Sequence, residues 1–157
     1  MTLFDVFDWL ELTAIGEAVR GSIWLFPAIE AVHLLALAMI GGAVLVVDLR
    51  LLGASLRDQP VASVAKNAHP WLVASLLALI ATGVPLFLSE AVKCYFNTSF
   101  WVKMITLVVA VTFAFSVRRR IADGRWQVGA GLQKLTGATS IGLWFVVAAA
   151  GRWIGFS

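Results

Sequence analysis

Glu30 and His33 stand three residues apart in an otherwise apolar run from Ile23 to Val47. At that spacing on a helix two side chains share a face. Ionisable groups inside a membrane span cost roughly 2.5–3.5 kcal/mol near its centre, which makes them functional candidates by default. Counted from Trp24, the two lie about 9 and 14 Å below the outer boundary. His33 admits three roles. A neutral imidazole bonded to a neighbouring helix or to Glu30 is structural. An axial ligand of haem iron makes the chain a b-type haem protein. A proton carrier beside Glu30 serves quinone or redox chemistry. Lys103, two residues after Trp101, either snorkels to water or reaches the plane of Glu30, about one helical turn deeper. Glu30, His33 and Lys103 are therefore the candidate cofactor-binding residues, for haem b or a quinone, and His33 is the candidate iron ligand. Gly83 and Pro85 fall near the same depth, where they free backbone carbonyls and leave room for a bound group.

The remaining polar residues read differently. Asp48 lies five turns after Glu30 on the same face, about 27 Å away. It falls near the plane of Arg118 to Arg120 and is expected to pair there, at a boundary where such a pair costs little. His69, before Pro70 and Trp71, lies about 22 Å from His33, so one iron cannot bond both. It is expected at the interface near a helix start. Cys94 is the only cysteine, which excludes an internal disulfide and a cysteine-based metal cluster. Met1, Met39 and Met104 are scattered, and no histidine-rich or methionine-rich copper motif is present. No catalytic set stands out, and the chain reads as a subunit rather than an enzyme on its own.

The elements that would hold these residues are dictated by composition. Of 157 residues, 61% are apolar and 13% charged, with mean hydropathy +0.91. Soluble domains carry about 25% charge. A soluble enzyme, a disordered tail and a disulfide-stapled module are excluded. Crossing a hydrocarbon core of about 30 Å takes about 20 apolar residues in a helix. Residues 23–47, 71–88, 100–117 and 135–156 qualify. The runs are too long and lack the alternation of strands. The expected fold is all-α, a single integral membrane domain over residues 1–157 built as a four-transmembrane-helix bundle. Eight of the twelve basic residues fall between the first and second or third and fourth spans. The positive-inside rule puts those loops in the cytoplasm and both termini on the periplasmic side of an inner membrane. The +3 charge is thus a topology signal, and no basic patch outside the bilayer has the form of a nucleic-acid footprint.

Residues 1–20 are not a signal peptide, since Asp5, Asp8, Glu11 and Glu17 occupy the place of an apolar core. Asp5, Asp8 and Glu11 form one stripe and Leu3, Phe7, Leu10 and Ala14 another, as in an amphipathic helix lying in the interface with Trp9 as anchor. The acidic stripe is a solvated face or a dock for a basic partner such as a c-type cytochrome, the solvated face being the simpler reading. Trp24, Trp71, Trp101, Trp126 and Trp153 mark an aromatic belt. Small residues four apart are expected to bring helices together: Ala38 with Gly42, Ala74 with Ala78, Ala110 with Ala114, Ala138 with Gly142.

The stretch WLFPAIEAVHL from Trp24 to Leu34, DLRLLG from Asp48 to Gly53, Pro70-Trp71, Thr82-Gly83, and Asn97 with Phe100 and Lys103 resemble an uncharacterised bacterial family of four-helix membrane proteins. More distantly, the layout is similar to the copper-resistance protein D family and to the haem-binding protoporphyrinogen-oxidase-like membrane family. The latter resemblance implies a histidine in the first span and a lysine in the third, roles that fall on His33 and Lys103, while Glu30 and the DLRLLG run depart from it. The expectation is a membrane-embedded accessory subunit of a redox or electron-transfer assembly, with lipid and other membrane or periplasmic subunits as partners. A cofactor-free structural or assembly subunit is the alternative, and a haem-dependent membrane oxidase a third.

Overall fold

A computed structural model of the chain describes residues 2–156. The chain runs α1 (Leu3–Glu11), α2 (Ala14–Gly21), α3 (Leu25–Leu52), α4 (Val61–Ser89), α5 (Ala91–Phe96), α6 (Thr98–Phe113), a π-helical turn (Ala114–Arg118), α7 (Arg119–Ala122) and α8 (Ala130–Ile154). No strand occurs among the described residues. Four stretches are long and apolar enough to cross a membrane: α3, α4, the continuous segment Thr98–Ala122, and α8. The protein is an all-α membrane protein. Large apolar side chains such as Leu35, Leu77, Ile105 and Phe145 stay exposed on the bundle flanks. That is the surface expected where lipid replaces water.

α3 packs against α4 and α8, and α8 packs against α6. The main core joins Ala36, Ile40, Val44, Leu72, Leu79 and Trp144. A second cluster, with Val47, Leu51, Val64 and Ile121, closes the end that carries the basic loops.

Two boundaries differ from expectation. α4 begins at Val61, after Pro60, ten residues before the apolar run at Trp71. Twenty-nine residues make a helix of about 43 Å, longer than the hydrocarbon core, so its polar first turns extend past the apolar slab. An apolar-run criterion stops at Lys66 and His69, but helix formation does not. The N-terminal helix is two helices, because the Thr13 hydroxyl accepts from Gly16 N–H and caps a new helix.

These two short helices are fastened to the bundle. Glu11 pairs with Arg20 at 3.2 Å and accepts from Val92 N–H at 2.6 Å. Arg20 also donates to Ser89 O. Gly16 is required where it stands, since a Cβ there would meet Leu88 O at 2.5 Å. Phe7 is buried among Phe87, Tyr95, Phe100 and Trp101. Asp5 closes a capping box with Thr2. Of the expected acidic stripe, Glu11 is thus spent on an internal tie.

Among the expected small-residue contacts, only Ala110 and Ala114 are both buried. Ala38, Gly42, Ala74, Ala138 and Gly142 are exposed, and a Cβ on Gly42 or Gly142 would meet nothing within 4 Å. The close approach is made instead by Gly137 of α8, where a Cβ would lie 2.8 Å from Asp48 O.

Candidate functional site

His33 is half-buried on α3 and faces α4. Its Nδ1 lies 2.8 Å from Thr82 Oγ1. The Thr82 hydroxyl has one proton, and its own Ala78 carbonyl takes it at 2.6 Å, the back-bonding habit of threonine in a helix. The hydroxyl oxygen must then accept, which makes His33 Nδ1 the donor. Assigned from this network, the neutral tautomer carries its proton on Nδ1 and a lone pair on Nε2. No described group hydrogen-bonds Nε2. Beside the ring, α4 offers Gly83, where a Cβ would come within 3.3 Å of His33 Cε1. A glycine therefore makes the space in which the imidazole sits.

Lys103, half-buried on α6, lays its stem against α8 at Gly151, with Cδ, Cε and Nζ each 3.6 Å from where a Cβ would be. It is within electrostatic reach of His33. No carboxylate pairs with it among the described residues. Glu30, one turn nearer the start of α3, is exposed on the bundle flank, and none of the described ion pairs includes it. The structure therefore brings His33 and Lys103 into one neighbourhood, framed by Thr82, Gly83 and Gly151, and leaves Glu30 facing outward. His69 lies thirteen residues before Thr82 on α4, about 20 Å along the helix, so His33 and His69 stand apart.

A second polar centre sits at the other end of the bundle. Asp48 is fully buried, and Arg118 Nε donates to its Oδ1 at 2.6 Å. Arg118 Nη2 donates to Val44 O at 3.2 Å. Depth along the spans pairs Asp48 with this arginine stretch but sets the pair at a low-cost boundary. Both side chains are instead almost wholly out of solvent, at 0% and 6% exposure. Asp48 Oδ2 and, on α8, Ser140 Oγ are both buried without a hydrogen-bond partner among the described residues. His69 Nε2 is likewise buried and has no hydrogen-bond partner among the described residues. The sequence signal for that histidine is obscured because His69 precedes the apolar run, whereas the helix itself starts two turns earlier. Among the described residues no group of three or more His, Cys, Asp or Glu side chains could hold a metal ion.

Cys94 lies on α5, buried, and burial with Glu90 nearby pushes its thiol up to about 11. It is an inert thiol at neutral pH.

Fold and polar centres define a polytopic helical membrane protein with one open and one closed set of intramembrane polar groups. Over residues 6–157 the chain belongs to a family of unknown function, DUF6644. No curated protein and no solved structure matches it significantly. The distant likeness to copper-resistance and haem-binding membrane families has no counterpart among these matches.

Proposed function

We propose that the protein is a membrane subunit of a redox assembly that offers His33 and Lys103 to a haem or a quinone. The observation that carries this reading is the His33–Thr82 hydrogen bond. A protein that uses imidazole as a metal ligand or proton acceptor fixes one ring nitrogen as a donor and turns the other outward as a lone pair. Thr82 does the first, and Nε2 is left for the second. The glycine cradle at Gly83 fits the same purpose. Either group, when bound, would supply the electron-transfer chemistry. The chain's own part is to hold a lone pair at Nε2, to keep the Lys103 ammonium within electrostatic reach of it as a charge, and to keep bulk water out with lipid-facing helices.

The alternative is a cofactor-free assembly subunit, and exposed Glu30 favours it. A carboxylate without an ion-pair partner among the described residues, on the flank of a span, is costly against lipid, a cost that a neighbouring subunit would relieve. The test is the visible spectrum of purified protein with and without dithionite, together with solvent extraction for bound quinone. The expected result is a Soret band or a stoichiometric quinone, lost in His33→Ala. A folded protein that is colourless and free of quinone overturns the redox reading and leaves assembly.

A further inference from the structure

At the end of the bundle away from α1 and α2, a cleft of about 500 Å³ lies between α4 and the π-turn with α7, with Ala43 and Val47 of α3 beneath it. It occupies the seam between α4 and the third span. Its charged lining is Lys66, Arg118, Arg119 and Arg125 against a single acid, Asp123. Asp48 matches Arg118. Asp123 is shared between Arg119 at 3.6 Å and Arg125 at 3.9 Å. One arginine charge and that of Lys66 therefore stand in excess.

His69 adds a second, independent observation. Its ring lines the cleft and packs edge-on to Phe115, with centroids 6.2 Å apart. Its Nε2 is buried with no hydrogen-bond partner among the described residues. Buried polar atoms in folded proteins nearly always have partners, so an orphan in a cleft of surplus positive charge points to a missing acceptor. The π-turn contributes as well. One extra residue in the turn rotates the downstream residues by about 100° relative to a continued α-helix, and Ala114, Phe115, Arg118 and Arg119 all line the cleft.

We propose that this cleft binds a phosphate-type anion, with Lys66, Arg119 and Arg125 supplying charge and His69 supplying an N–H donor once its ring turns a nitrogen to the cleft. Guanidinium groups match phosphate oxygens in a fork, and lysine adds a point charge. Basic pockets between membrane helices are suited to phosphate headgroups, and the same donors take a soluble phosphate. The inference stands apart from the His33 site and survives its failure.

The full chain in phosphatidylcholine nanodiscs is titrated calorimetrically with inorganic phosphate, and a parallel preparation containing phosphatidic acid is scored for retained lipid by native mass spectrometry. Binding in the first arm identifies a soluble phosphate, and in the second a lipid headgroup. In whichever arm binds, Lys66→Gln and Arg125→Gln each weaken binding about tenfold, the scale of one lost charge-assisted contact. Lys66→Arg keeps binding, which guards against a folding defect. Lys134→Gln removes the same charge from an exposed position outside the cleft and leaves binding unchanged. Failure of both probes to bind the unaltered protein overturns the proposal. So does an equal loss in Lys134→Gln, which would mean diffuse surface attraction.

Discussion

The two polar centres of this bundle are built on opposite plans. Near α1 and α2, His33 and Lys103 are half-buried, hold one side-chain hydrogen bond between helices, and leave Nε2 and an ammonium without partners among the described residues. At the far end, Asp48 and Arg118 are locked together in the core and tie the third span to α3, with Gly137 of α8 pressed against the Asp48 carbonyl. Both centres put costly groups inside spans. One uses the cost to fix helix packing, and the other keeps unspent donor and acceptor capacity for something outside the chain. In a membrane, a polar group locked into a buried ion pair reads as architecture, and one left half-buried without a charge partner reads as a site.

That contrast can be broken most forcefully at the buried pair. Asp48→Ala leaves the Arg118 charge in the core and is expected to destabilise the protein by about 3–5 kcal/mol, as is Arg118→Ala. The apolar double change Asp48→Leu with Arg118→Met should recover most of the loss. Unfolding in mixed micelles with increasing dodecyl sulfate measures all three, and a loss below about 1 kcal/mol would remove the architectural role.

The glycines give the next contrast. Gly137→Ala must push against the backbone oxygen of Asp48, and an overpacking cost of about 1–3 kcal/mol is expected. Gly83→Ala meets only the edge of the His33 ring at 3.3 Å, which can move by a few tenths of an ångström. Alanine also favours the helix by up to about 1 kcal/mol, so the net effect there should be smaller than at Gly137. The same unfolding assay compares them, and a larger loss at Gly83 would mean that the open centre is the tighter one.

Cys94 gives the smallest effect. Its thiol is pushed from an ordinary 9.0 up to about 11. Below pH 9 the folded and unfolded chains both keep the proton. Between 9 and 11 only the unfolded chain loses it, so stability falls as pH rises through that window. Iodoacetamide should label Cys94 negligibly at neutral pH in the folded protein and readily after denaturation. Ready labelling of the folded protein would show that α5 is not seated as described.

The spans and the aromatic belt were legible in the sequence because lipid imposes a length of apolar chain, and Trp24, Trp71 and Trp153 are indeed exposed. The extension of α4 over Val61 to Pro70 was not, since those turns lie beyond the apolar run. Four-residue spacing marks a helix face but not which face turns inward. Hence Ala38 with Gly42 is expected at a contact and lies outside, while Gly16 and Gly137, the glycines under real steric pressure, belong to no such pair. The pairing of Asp48 with Arg118 was legible from depth alone, but its burial depends on how α3 and the third span are rotated. For the same reason His33 was visible as a candidate, and Thr82-Gly83 as a motif, while the bond between His33 and Thr82 needed the register of α3 against α4.

The central claim is that Thr82 holds His33 as the Nδ1–H tautomer with a bare Nε2. Nitrogen-15 NMR of the histidine-labelled protein in bilayers, assigned with His69→Gln and repeated on Thr82→Val, tests it most directly. The expected spectrum shows a protonated Nδ1 and an unprotonated Nε2 for His33, with the tautomers mixing once Thr82 is removed. A His33 protonated on Nε2, or one whose signals ignore Thr82→Val, would contradict it.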